Sequence, residues 1–455
     1  MEHLSVTNAQ KCILESIKIL DAEPVRLEQS LGRVLAEDIR ANRDLPPSDV
    51  SAMDGYAVRS ADLASVPAIL AIIEDIKAGD MPGKTVHAGQ CARIMTGAPV
   101  PEGADAVIRV EDTQLVSTIT LSPNSGRATG HSTKPANGQV AGYLTQTGER
   151  DAVSQRESMF DAVQINVAVK PGNDIRLQGE SMRNGETVLA AGTGITPGVI
   201  GILATVKCAQ VQVYRLPRVA ILSTGNELED MDDPVDPNKI PNSNSYALMA
   251  QLQALGIEPD LLGIARDDPA ELAEYLQRGL RFDVLLVSGG TSVGVHDYVR
   301  PILESLGVQM KFWRVAMKPG HPVAFGTTTK AAAVFGLPGN PVSSMVCFEQ
   351  FVAPALRRMM GHARIYRRTI AARLTHNVKH QPGRTEFIRV TFAKQEGGYA
   401  ATSTGAQGSG MLLSMARADG LMVVSADSAG LAEGSLVTVQ LLDGTTFQND
   451  AGFGE

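Results

Sequence analysis

The chain has no excess of positive charge. Across 455 residues its 41 Lys and Arg are outnumbered by 49 Asp and Glu, for a net charge of -8. That balance argues against nucleic acid or an anionic membrane as a standing partner, because such surfaces are held by a basic face that displaces counterions. An anionic ligand would have to be gripped by local charges. No apolar run reaches membrane-spanning length, and Met1 to Leu20 lacks the basic stretch and unbroken apolar segment of a secretory signal, so a cytoplasmic location is expected. The 4 cysteines, Cys12, Cys91, Cys208 and Cys347, show no paired spacing, so neither a zinc site nor a disulfide framework can be read from them. They are expected to be small buried hydrophobes. Also missing are the three-glycine dinucleotide fingerprint and the Walker loop, which leaves generic nucleotide binding resting on fold analogy alone.

What is present is ample apolar material, 44% hydrophobic against 20% charged, in a chain long enough for two to four domains. Residues 5–21 predict a helix, with Thr7 and Gln10 at capping-box spacing and Ile13, Ile17 and Leu20 on one face. Short apolar runs broken by Pro and Gly follow, giving a β-rich lobe at about 45–170, interrupted by a polar, aperiodic stretch at 117–160 that reads as a mobile insertion. From Pro217 strands and helices alternate: extended runs at 218–222, 259–265, 283–287, 309–315 and 332–335, and helices at 246–255, 269–280, 297–306 and 342–360. That order predicts a doubly wound parallel sheet. Short strands and turns return after Gly361. The expected organisation is an N-terminal region 1–215 containing the β-rich lobe, an α/β domain 216–362 and a small C-terminal β domain 363–455.

Ligands of such a sheet bind beyond the carboxyl ends of its strands. Three loops stand there: Ser223-Thr224-Gly225-Asn226-Glu227, Ser288-Gly289-Gly290-Thr291-Ser292-Val293-Gly294, and Gly336-Leu337-Pro338-Gly339-Asn340-Pro341. Glycine-rich turns that open a helix expose N–H groups suited to an anion, yet each also reads as ordinary loop punctuation. Arg176, Arg314, Lys318 and His321 are the candidate cations. In Lys318-Pro319-Gly320-His321-Pro322 two prolines fix the backbone around two basic side chains, which fits an anion clamp and equally a solvated rigid turn. Asp297, and Asp267 with Asp268-Pro269, can be ligands or helix caps.

Taken in order, SAMDGYAV, RIMTGAPVPEGADAV, ILSTGNEL, GIARDDP, LLVSGGTSVGVHDY, FWRVAMKPGHPVAFG and GLPGNPVS resemble the molybdopterin molybdenumtransferases, the family that includes the E domain of gephyrin. The resemblance covers nearly the whole chain outside 117–160. It implies an L-shaped homodimer of several domains, a molybdopterin-binding α/β domain facing a β-rich lobe, and a reaction in which adenylylated molybdopterin is hydrolysed and molybdenum from molybdate is placed on the dithiolene with Mg²⁺ assisting. By motif it places Asp54, Thr96, Glu227, Asp297 and Lys318 in the chemistry. Arg176, Glu180, Ser223, Thr224, Gly225, Asp267, Ser288, Gly289, Gly290, Arg314, His321, Pro338, Gly339, Asn340, Pro341 and Ser409 then border the substrate, with Glu227 and Asp297 on the metal. The implied partners are the adenylyltransferase of the same pathway and the recipient molybdoenzymes.

Three commonly acidic positions are neutral here, Ser181, Asn226 and Asn242, and Arg314 replaces a frequent Lys. These departures leave room for altered oxyanion handling, including tungstate. A non-catalytic scaffold on the same fold is the alternative, against which the joint retention of Asp54, Glu227, Asp297 and Lys318 argues.

Overall fold

The computed structural model describes residues 4–116, 162–290, 298–395 and 397–442. They form two compact units, one of Arg40–Val188 and one of Met1–Ile39 with Leu189–Glu455.

Within Arg40–Val188, six strands form one sheet in the order Ala106–Arg109, Gly55–Val58, Gln90–Ile94, Ala68–Ile76, Ala162–Ile165, Thr113–Val116. Every pair is antiparallel except Ala68–Ile76 with Gln90–Ile94. Side chains alternate across a strand, so Tyr56 and Val58 join one core with Cys91 and Ile108, while Ala57 joins another with Ala92, Ile94 and Val107. Both faces are therefore covered. A Cβ on Gly55 would lie 1.8 Å from the Ile108 carbonyl oxygen, so only glycine fits there. Val116 is the register partner of Ala162, and the segment expected to be a mobile insertion lies outside the described residues.

In the other unit a six-stranded sheet runs Asp260–Ala265, Val219–Thr224, Val284–Ser288, Ala333–Leu337, Ala324–Thr327, Gln309–Phe312. The first four strands are parallel, as the alternation of apolar runs and helices predicts. Ala324–Thr327 runs antiparallel to both its neighbours, Ala333–Leu337 and Gln309–Phe312. Ala324–Thr327 escapes notice in the sequence because a four-residue run containing Gly carries little signal. Helix Ser243–Gln253 and the run Pro341–Met359 pack on one face, sharing a core with Val219, Ile221 and Phe335, and helices Pro269–Gly279 and Val299–Ser305 cover the other. The run Pro341–Met359 is not one regular helix, for a π turn at Phe348–Val352 interrupts it.

The first helix is shorter than its pattern predicts. It spans Val6–Ser16, is capped by Ser5 rather than Thr7, and ends where Ile17 turns extended. Its buried face, Val6, Ala9 and Ile13, completes the α/β core.

Beyond Gly361 the strands Thr385–Gln395, Gly398–Ser403, Thr369–Leu374, Leu436–Leu441 and Gly420–Val424 pair in that order, and the last returns to pair with the first. The result is a small closed barrel around Leu374, Ile388, Val390, Met422 and Val439. Outside the barrel proper, the two-residue strand Met317–Lys318 adds in parallel to its edge at Thr385 and Glu386.

Of the cysteines only Cys91 and Cys347 are buried, whereas Cys12 and Cys208 are partly exposed.

Candidate active site

At the carboxyl ends of the parallel strands lies a cavity of about 450 Å³ lined by Thr224, Glu227, Ser288, Gly289, Gly339 and Pro341 from the three expected loops. Asn242, Ser243 and Asn244 join them from the start of a helix, and Gly410 and Leu412 from the barrel. The walls are braced from behind. Asn244 Nδ2 donates to Ser288 Oγ and to the Gly339 carbonyl, both at 2.8 Å, tying two loops together. Ser223 is committed to structure, since its hydroxyl donates at 2.8 Å to Asn242 Oδ1 and lies 2.9 Å from Ser245 Oγ. Asn242 in turn caps helix Ser243–Gln253 through the Ser245 N–H. An amide oxygen caps as an aspartate would, so the neutral residue keeps the helix start and loses only the charge.

Thr224 Oγ1 is buried, lines this cavity and has no hydrogen-bond partner among the described residues. Beside it the chain at Gly289 and Gly290 has φ of 93° and 60°, and a Cβ at either would come within 3.0 Å of Thr224 Oγ1. Those glycines therefore let the turn lie against the threonine. Gly225 has φ 144°, and a Cβ there would meet the Glu227 carboxylate at 2.3 Å. Asp267 Oδ2 accepts from the Asn226 N–H, and Asn226 Oδ1 from the Asp267 N–H. Its neighbour Asp268 is the helix cap, accepting from Ala270 and Glu271 N–H. Buried Pro338 and exposed Asn340 sit beside Gly339, and the Ser409 carbonyl accepts from the Val342 N–H at 3.1 Å, setting the barrel loop against the first turn of the helix. That loop is anchored by buried Arg389, whose guanidinium donates to Ser414 Oγ and the Gly408 carbonyl. Asp297 and Thr291 to Gly294 lie outside the described residues.

Lys318 opens onto a different cavity, of about 920 Å³, with Lys379, His380, Arg384 and Glu386 in its wall. Sequence reasoning missed all four of these partners. Lys318 and Glu386 are brought together by strand pairing 68 positions apart, which no local pattern announces. His321 serves the turn itself, for its Nδ1 lies 2.7 Å from the Val315 carbonyl and closes the loop between them. Arg314 is half-buried one residue before Val315.

The remaining candidates belong to the unit Arg40–Val188 and form two bonded pairs. Asp54 Oδ1 accepts from the Thr96 N–H at 2.7 Å and the Thr96 hydroxyl at 2.8 Å. Those bonds, the backbone one foremost, hold the Asp54 carboxyl below its ordinary range. Arg176 Nε donates to Glu180 Oε1 at 2.6 Å, which lowers Glu180 likewise. Strand pairing sets Arg176 opposite Val50, shortly before Asp54.

Three family models together span most of the chain. Residues 4–206 match the MoeA N-terminal region (domain I and II), 220–358 a probable molybdopterin binding domain, and 371–442 the MoeA C-terminal region (domain IV). The matches mark a protein of molybdenum cofactor biosynthesis, with a probable molybdopterin binding domain between the two MoeA regions. The molybdopterin molybdenumtransferase of Nostoc is 35% identical over 92% of this chain and 88% of its own, and that of Bacillus subtilis 34% over 93% and 90%. The molybdopterin biosynthesis MoeA protein of Pyrococcus horikoshii superimposes with a TM-score of 0.76 at 28% identity, covering 97% of this chain and 100% of that one. The chain belongs to the molybdopterin molybdenumtransferase family, a family of transferases in molybdenum cofactor biosynthesis.

Proposed function

We propose that the protein transfers molybdenum from molybdate to molybdopterin, acting on the adenylylated pterin and releasing AMP. The observation that carries this is the cavity of about 450 Å³ at the strand ends, with an unpaired buried hydroxyl at Thr224 and the carboxylate of Glu227 in its wall. Its size suits a pterin, and its polar groups converge as small-molecule sites require. Molybdate is a tetrahedral dianion and fits the second cavity, where Lys318, Lys379 and Arg384 supply positive charge in a protein that is acidic overall.

Hydrolysis of a phosphoanhydride depends on neutralising charge that develops on phosphate oxygens. Among the described residues no group of three or more His, Cys, Asp or Glu could hold a metal ion. Magnesium is held through as few as one or two protein carboxylates, so Glu227 would be its donor among the described residues, and the ion would supply that neutralisation. Backbone N–H groups of the glycine loops orient the pterin phosphates at this cavity, and Lys318 orients the oxyanion at the second. We further propose a homodimer working in the cytoplasm; among the described residues no helix is long and apolar enough to cross a membrane.

Purified protein supplied with adenylylated molybdopterin, Mg²⁺ and molybdate should release AMP and yield metal-bound pterin, and tungstate run in parallel reports the oxyanion preference. Absence of AMP release with intact, folded protein would defeat the proposal.

A further inference from the structure

The Lys318 ammonium is not left to swing at the cavity wall. Its short strand pairs in parallel with the barrel, Met317 beside Thr385 and Lys318 beside Glu386, and the Thr385 N–H donates to the Ala316 carbonyl at 3.0 Å. This brings Lys318 Nζ to 2.8 Å from Glu386 Oε1. The other carboxylate oxygen, Oε2, accepts from His380 Nδ1 at 2.9 Å. Side-chain exposure falls steeply along the row, from 59% at Lys318 to 8% at Glu386 and 3% at His380.

A carboxylate buried to this degree is costly unless both oxygens are engaged. Here the imidazole occupies one, so the other is directed at the lysine. Lysine is a point charge on a flexible four-carbon stem, and on a wall that also carries Lys379 and Arg384 it would otherwise be repelled towards solvent. His380 Nε2 is buried and has no partner among the described residues. A buried polar atom without a partner is costly in a low-dielectric interior.

We propose that Glu386, backed by His380, is a positioning residue that holds the Lys318 ammonium at the cavity wall for a dianionic tetrahedral oxyanion. The proposal rests on the oxyanion reading of this cavity given above. It makes a prediction opposite in sign to simple electrostatics, because removing a negative charge near an anion site should by itself strengthen anion binding.

The test is calorimetric titration of the full-length protein with molybdate alone at fixed ionic strength, with thermal unfolding recorded for each variant. Glu386→Gln keeps the shape and loses the charge; it should weaken binding about tenfold. In the Lys318→Ala background the same change should do nothing further, which a merely structural role would not reproduce. Unchanged or tighter binding in Glu386→Gln overturns the proposal, as does an equal loss with and without Lys318. A second readout stands apart from the oxyanion. In reductively ¹³C-methylated protein the Lys318 signal, identified by its absence in Lys318→Arg, should lie away from the exposed lysines and join them in Glu386→Gln. If Lys318→Ala binds molybdate normally while that signal still moves, the oxyanion reading fails and the positioning stands; if the signal does not move, the positioning fails. Should Glu386→Gln not fold, His380→Gln is read in the same two ways, with an expected loss of about threefold.

Discussion

Asn226 and Asp267 grip each other's backbone: the Asp267 carboxylate accepts from the Asn226 N–H at 3.3 Å, and the Asn226 amide oxygen accepts from the Asp267 N–H at 3.2 Å. The two loops beyond neighbouring parallel strands are thereby held together beside Glu227 with only one charge in the pair. Asn226→Asp keeps the acceptor but sets a second carboxylate near the first. Magnesium should then half-saturate AMP release at a concentration lower by roughly threefold or more, since added carboxylate charge favours the cation. The cost in stability should stay below about 1 kcal/mol for so exposed a pair. A magnesium titration alongside melting curves checks both.

Gly55 is fixed by a neighbour and not by chemistry. With the Ile108 carbonyl oxygen 1.8 Å from where a Cβ would stand, Gly55→Ala must push two paired strands apart. The expected loss is about 3 kcal/mol or more. Urea unfolding followed on the unit Arg40–Val188 would measure it, and a change under about 1 kcal/mol would show that the ladder yields more easily than its geometry implies.

The Asp54 carboxyl is held low by the Thr96 N–H first and by the Thr96 hydroxyl second. Thr96→Val deletes the second donor, so the Asp54 titration midpoint should move up part of the way to its ordinary value, as seen in the carboxyl ¹³C shift. The sign for stability follows from linkage. A carboxyl whose folded pKa is depressed contributes stability above its unfolded value, here 3.8, and that contribution is lost as pH falls through the folded value. Below about pH 4 the wild type should therefore lose stability more steeply than Thr96→Val. Parallel acid slopes would contradict this.

Val116 and Ala162 are register partners, so the two ends of the segment 117–161 stand side by side. Replacing 117–161 with a short turn should leave melting within about 1 kcal/mol and turnover near wild type. Joint collapse of both would mean that the segment supports the sheet.

Much of the α/β domain was legible because its strands are short runs buried on both faces, such as Val284–Ser288, and because Asp268-Pro269 marks a helix start. The three loops that line the first cavity follow from the rule that ligands sit at strand ends. Less legible were features made by contact at a distance. Nothing near Lys318 foretells Glu386 or His380, and Ser223 looked like a binding hydroxyl until its bonds to Asn242 and Ser245 showed it to be committed to a helix cap. Asn244, which spans two loops, has no signature at all in one dimension. The π turn at Phe348–Val352 is hidden in a run whose apolar pattern suits a single helix.

The strand Met317–Lys318 belongs in sequence to the α/β domain and in hydrogen bonding to the barrel. A ladder of this kind transmits displacement along its length, so the barrel cannot tilt without carrying the lysine with it. What reads as a separate C-terminal module is in that sense a handle on the Lys318 side chain, and exchanging it for a relative's barrel should reset the reach of Lys318 even if every residue of the α/β domain were left alone.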